Sequence, residues 1–375
     1  MNLNAPKDKR ASDSSAVKSI PFRVLCIDGG GMRGIYSAAY LDDLQRKFVN
    51  KRQLGDGWLD IGRAFDLMVG TSTGAIIAMG LAAQVPSKKI LELYKAHGKD
   101  IFPVTLPAGT VKTLVQMPSR SKAIKNGDEA LQTALHGLFG DTTLGELYKT
   151  RQIAISIPAI DMSTHNAWVF KTAHLPGSNH RDDNYSLVDV CRATSAAPIY
   201  RSLAAIDNPD NDGFRVFADG GLYANSPIMI GLIDSLKLAG KDQNIEIYTL
   251  GTCKPTSGEH IEKQDVHRGL GDWKFGGKAA ELSIDAQEEI AWHTARLLLP
   301  HLNQKVNLVR FPRKNVTGNT AQYLSLDETR PEAATALQAQ AHTDVNGAIS
   351  MCADPLDTDG QRLNSLMFDM PHMPA

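Results

Sequence analysis

Gly70-Thr71-Ser72-Thr73-Gly74 sets a serine between two glycines where an apolar strand-like run, Phe65 to Val69, meets an apolar helix-like run, Ala75 to Ala83. In that context G-x-S-x-G predicts a nucleophile elbow, a strained strand-to-helix turn that exposes the serine hydroxyl. Side chains at 70 and 74 would collide where strand and helix cross, so glycine lets the backbone through. The helix N-terminus directs its free N–H groups and partial positive charge at the serine, favouring an alkoxide-like nucleophile and the oxyanion that follows its attack. The chemistry this predicts is acyl transfer.

Asp28-Gly29-Gly30-Gly31-Met32-Arg33-Gly34 follows another strand-like run, Arg23 to Ile27, and admits more than one reading. Gly29, Gly31 and Gly34 satisfy the dinucleotide pattern G-x-G-x-x-G, but that fingerprint also wants a carboxylate closing a second strand about twenty residues on. Residues 50–60 are instead a polar loop. As an oxyanion hole, the successive glycine N–H groups form an anion nest, the following helix dipole adds to it, and Arg33 supplies a positive charge. A tight turn without a ligand is the third reading.

A serine also needs a group to take its proton. Asp219, in Phe217-Ala218-Asp219-Gly220-Gly221, follows a strand, and in a parallel sheet it emerges at the same carboxyl edge as Ser72. Gly220 and Gly221 let the backbone turn sharply there, although Asp-Gly-Gly alone is usually just a turn. Eleven histidines keep a Ser-His-Asp triad open, but His165, His174 and His180 fall in loop-like text and His293 and His301 in or after a long helix.

The elements that must position these groups alternate. Strands are expected at Arg23–Ile27, Phe65–Val69, Gln152–Ile157, Ala167–Thr172, Arg215–Ala218, Asn244–Leu250 and Val306–Phe311, the last of them. Helices are expected at Gly34–Phe48, Gly74–Ala83, Ser87–His97, Asp128–Leu138, Val188–Ala197 and Ala280–Leu299. Phe102 to Asn126, with three prolines among basic residues, reads as an irregular surface insertion or lid. The alternation predicts an α/β fold with a mostly parallel sheet covered by helices on both faces.

With 40 Lys+Arg against 41 Asp+Glu in 375 residues, nothing suggests a nucleic-acid coat or a polybasic membrane face. Four scattered cysteines without a C-x-x-C pair argue against a disulfide scaffold or a structural zinc site and fit a reducing compartment, so a cytoplasmic location is expected. Leu67 to Val85 is uncharged and about as long as a bilayer crossing, but Thr71-Ser72-Thr73 divides it into a short strand and a short helix. A buried central helix of a soluble domain is the simpler reading.

Taken in order, Asp28-Gly-Gly-Gly-x-Arg-Gly34, Gly70-Thr-Ser-Thr-Gly74 and Asp219-Gly-Gly221 resemble the motifs of the patatin-like phospholipases, supported by Ala196-Ala197-Pro198 and Tyr223-Ala-Asn-Ser-Pro227. Asn225-Ser226-Pro227 departs from the more usual Asn-Asn-Pro. The resemblance covers about Phe22 to Gly251. It implies a three-layer α/β/α domain and metal-free, cofactor-free hydrolysis of lipid acyl esters. In this reading Ser72 is nucleophile and Asp219 is base, with Gly30 and Gly31, and Gly29 and Arg33 beside them, as oxyanion hole. Gly34, Gly70, Gly74, Gly220 and Gly221 are motif positions. The expected division is a disordered arm (1–20), a catalytic domain (21–251) and a C-terminal part packed on that domain (252–375).

The whole outline also resembles bacterial patatin-like anti-phage effectors switched on by a cyclic dinucleotide, which would make Arg120–Lys125 and Arg310–Lys314 candidates for holding its phosphates. The expected partners are membrane phospholipid at the inner membrane surface and a cyclic dinucleotide activator, with no nucleic acid and a homo-oligomer left open. A nucleotide-sensing binding module and a Ser-His-Asp esterase remain the alternatives.

Overall fold

The computed structural model describes residues 20–374 apart from 104–109, 255–257, 259, 274–275, 314–315 and 317. Most of the expected N-terminal arm and part of the expected insertion thus lie outside the described residues. Five parallel strands form the body of one sheet. β1 (Phe22–Ile27) lies between β3 (Leu67–Gly70) and β8 (Ile245–Leu250); β4 (Ala154–Asp161) flanks β3, and β9 (Val306–Phe311) flanks β8. Every residue of β1 and β3 is buried, as strands covered on both faces require. Away from this body, β2 (Trp58–Leu59) pairs with the late strand β10 (His372–Met373) in a separate ribbon, so Phe311 does not end the last strand.

Alternation along the strands divides the interior in two. Leu25, Ile27 and Met68 belong to a core shared with α1 (Gly34–Lys51), α2 (Thr73–Ala82) and α3 (Ser87–Ile101). Val24, Cys26, Leu67 and Val69 join the opposite core, with Ile228 and Leu232 of α8 (Ile228–Leu238) and Ala295 of α9 (Gly277–Leu298). The result is the expected α/β/α sandwich. All ten residues of α2 are buried, which accounts for its apolar character on every side. Among the described residues no helix is long and apolar enough to cross a membrane.

The region after Gly251 is built into the same body. It supplies β9, and α10 (Pro331–Ala353) lies along α1 with α11 (Thr358–Asp369) against it. Tyr36 of α1 donates to Asp344 of α10 at 2.8 Å.

Two expectations need correction. First, the strand before Asp219 is not parallel to the others. β7 (Phe214–Asp219) runs antiparallel to β4, pairing Ala159 with Asp219, and β6 (Ala204–Asp207) runs antiparallel to β7. A strand has two edges, and β5 (Asn166–Lys171) occupies one edge of β4 from Ser156 to Asp161. β3 and β7 therefore share the other edge, β3 along residues 154–156 and β7 along 159–161. β7 runs in line with β3 and head-on toward its end.

Second, much of Phe102–Asn126 is helical. α4 spans Thr110–Phe139 and absorbs the helix expected at 128–138. Between these elements lie α5 (Leu144–Arg151), closed by a Thr143/Glu146 capping box, α6 (Leu187–Thr194), capped by Ser186, and the short α7 (Gly221–Ala224).

Candidate active site

Ser72 follows β3 and caps α2 with φ 54° and ψ −123°, a left-handed conformation that costs a non-glycine residue about 1–3 kcal/mol. Surrounding bonds hold it there. Its N–H donates to Thr194 Oγ1 at 3.0 Å, and that hydroxyl donates to the Pro158 carbonyl at 2.7 Å. The glycines act as the sequence implied. A Cβ on Gly70 would stand 2.4 Å from the Gly74 carbonyl oxygen, and one on Gly74 2.3 Å from the Ile27 carbonyl oxygen.

Because β7 ends facing β3, its last residue meets the elbow. The Ser72 hydroxyl donates to Asp219 Oδ2 at 2.9 Å, and the Gly221 N–H donates to Oδ1 at 2.6 Å. Asp219's own N–H donates to the Ala196 carbonyl at 3.0 Å, which ties it to the Ala196-Ala197-Pro198 segment. Gly220 packs against Pro158 and leaves no room for a side chain. Burial pushes the Asp219 carboxyl up to about 6, against the hydrogen bonds from Gly221 and Ser72 and the charge of Arg201. A carboxyl with such proton affinity, touching a hydroxyl, can exchange a proton with it near neutral pH.

The glycine loop comes to the same place, but its amides are not equivalent. The Gly29 N–H donates to the Asn225 carbonyl at 2.9 Å and the Gly30 N–H to Thr73 Oγ1 at 3.1 Å, so two of the three glycine amides expected in the oxyanion hole are engaged. Met32 N–H is taken by the Leu326 carbonyl at 2.8 Å. Among the described residues only the Gly31 N–H of this run makes no hydrogen bond. Gly31 has φ 54°, and a Cβ there would lie 2.2 Å from the Leu326 carbonyl oxygen, so no other residue fits. Gly34 opens α1 against Thr73.

Arg33 does not join the site. It is buried but absent from the cavity wall, and its charge is felt at Cys253, whose thiol burial pushes up to about 12.

Ser72, Asp219, Gly30 and Gly31 line a cavity, with about 790 Å³ of empty space when the open solvent at its mouth is included, whose remaining wall is largely apolar, including Ile76, Ile101, Phe102 and Leu131. Among the described residues no histidine lines this cavity, so a Ser-His-Asp arrangement lacks its histidine there. In the two basic runs, several of the described cations already have carboxylate partners. Arg310 is paired with Glu288 at 3.0 Å, Arg313 with Asp357 at 2.7 Å, Lys125 with Glu129 at 3.8 Å, and Lys314 lies outside the described residues.

Sequence reasoning missed Thr194, Thr73, Leu326 and Arg201. Thr194 and Arg201 flank the Ala196-Ala197-Pro198 segment, which was the available signal. Leu326 carried none, since its part is played by a backbone carbonyl.

A serine bonded to a carboxylate in a largely apolar cavity suits the hydrolysis of acyl esters. The chain belongs to the patatin-like phospholipase family, whose model matches residues 25–232. Curated relatives called cGAMP-activated phospholipase are 34% identical in Escherichia coli, over 95% of this chain and 92% of the relative, and 33% identical in Pseudomonas aeruginosa, over 74% and 75%. A third, in Vibrio cholerae, is 28% identical over 81% of this chain and 85% of its own length.

Proposed function

We propose that this enzyme cleaves an acyl ester of membrane phospholipids through a Ser72/Asp219 dyad, working peripherally at a membrane surface and switched on by a cyclic dinucleotide. The observation that carries the dyad is the 2.9 Å contact between the Ser72 hydroxyl and Asp219. Ser72 Oγ attacks the ester carbonyl as its proton passes to Asp219 Oδ2. The tetrahedral oxyanion is received by the Gly31 N–H, joined by Gly30 once the Thr73 hydroxyl swings away. Collapse breaks the bond to the glycerol oxygen, which leaves with the proton from Asp219. Water then attacks the acyl-enzyme, gives its proton to Asp219 and releases fatty acid as Ser72 recovers its own. Support for the activator comes from the cGAMP-activated relatives alone.

A fluorophosphonate probe and a lipid assay with and without cyclic GMP–AMP test both parts. The wild-type chain should be labelled and should release fatty acid from phospholipid, more so with the dinucleotide, and Ser72→Ala should do neither. Labelling that survives Ser72→Ala sinks the dyad; release unaltered by a panel of cyclic dinucleotides sinks the switch.

A further inference from the structure

A guanidinium stands in the wall of a largely apolar cavity. Arg201 lines the space shared by Ser72 and Asp219, yet only 7% of it is exposed. Taking that charge out of water costs several kcal/mol unless other groups compensate it. The compensation is thin. Among the described residues its side chain makes one hydrogen bond, from Nη2 to Asp128 Oδ1 at 3.3 Å, and its buried Nε–H has no partner. Asp128 is shared: Arg192 holds the other carboxylate oxygen at the shorter distance of 2.8 Å. Phe102 packs under the Arg201 guanidinium, 5.7 Å from ring centre to Cζ, supplying an apolar shelf and a weak attraction. Among the described residues the fork thus has one long side-chain contact and one buried donor without an acceptor.

An acyl hydrolase that only had to hold hydrocarbon would gain nothing from this arrangement. A phosphodiester, in contrast, offers the planar pair of anionic oxygens that a guanidinium fork fits. Arg201 lines the same cavity as Ser72 and Asp219, and its charge is felt at Asp219. Resting on the acyl-hydrolase reading above, the geometry points to Arg201 as the residue that selects the phosphate of a phospholipid over a neutral glyceride. Asp128 holds the fork in place until substrate arrives.

The test compares kcat/KM for dioleoyl phosphatidylglycerol and dioleoylglycerol, presented in the same neutral detergent micelles with cyclic GMP–AMP present. Arg201→Gln should lower the phospholipid-to-diglyceride ratio by about 10- to 100-fold, the range of a lost charge-assisted contact. Arg201→Lys, which keeps charge without the fork, should fall between and serves if the glutamine variant does not fold. Asp128→Asn keeps the guanidinium but removes the carboxylate that competes with substrate for it, and should keep or raise the ratio. Equal losses on both lipids in the Arg201 variants, or an Asp128→Asn variant that reproduces their loss of ratio, would show a clamp on α4 and overturn the assignment. If the wild-type chain cleaves neither lipid, the acyl-hydrolase reading itself falls and Arg201 with it. If it cleaves both and Arg201→Gln keeps the wild-type ratio, only Arg201 falls.

Discussion

Several buried serines among the described residues donate to buried aspartates, and two of these pairs bear comparison. Ser72 meets Asp219 at 2.9 Å, and Ser156 in β4 meets Asp234 in α8 at 2.7 Å. Distance alone does not tell them apart; the rest of each environment does. Burial would raise Asp234, but His174, Lys171 at 2.7 Å and Ser156 together hold it down to about 2. It is a carboxylate with little appetite for a proton, pinning a helix to a sheet. Asp219 has no cation bonded to it and sits at about 6. Ser156 lies in regular strand, whereas Ser72 is held at φ 54° beside a cavity. A Ser–Asp contact becomes chemistry only when the acid is left wanting a proton and the hydroxyl is open to a substrate.

The contrast is most exposed in the two aspartates' amide variants. Asp219→Asn should lower kcat on phospholipid by about 10²–10⁴-fold, the usual worth of a general base, while Asp234→Asn should keep wild-type kcat at temperatures where it remains folded. Steady-state kinetics on both variants would break the comparison if the two losses were alike.

Stability should move in opposite directions. Asp234→Asn deprives Lys171 of its partner and should cost about 3 kcal/mol in urea unfolding near neutral pH. Asp219→Asn removes a carboxylate that burial disfavours and should add about 1–3 kcal/mol under the same conditions. A destabilised Asp219→Asn would mean that its hydrogen bonds outweigh its desolvation.

The smallest and most diagnostic effect is on pH. As pH rises from the unfolded carboxylate value to about 6, the unfolded Asp219 has lost its proton while the folded one keeps it, so stability from this group falls through that window. Asp234 does the reverse: its contribution is complete above the unfolded value and is lost as pH falls toward about 2. The proposed dyad needs Asp219 ionised, so kcat/KM should climb with pH through an acid limb near 6. An acid limb near 4 would mean that Asp219 is hydrated when the enzyme works.

How far the sequence could be read follows from the range of each constraint. The elbow was legible because its demands are local: a strand, two glycines that meet backbone, an apolar helix. The partnership of Ser72 with Asp219 could be anticipated, but not the route, because β7 reaches Ser72 by antiparallel pairing beyond the end of β3, and no residue near Asp219 declares strand direction. Gly29, Gly30 and Gly31 looked interchangeable as donors; Asn225 and Thr73, brought in from elsewhere in the fold, make them different. Phe102–Asn126 misled because prolines and basic residues suggested a loop where α4 runs.

The Met32–Leu326 hydrogen bond joins positions about 300 residues apart, and β9 and α10 arrive equally late. At about 5–20 residues per second, some 15–60 s of synthesis separate the two ends of that bond. For that interval the glycine loop exists without the carbonyl that shapes it and α1 without the helix that covers it. A nascent chain therefore carries its serine and its loop in an unfinished state until Leu326 and α10 have been made.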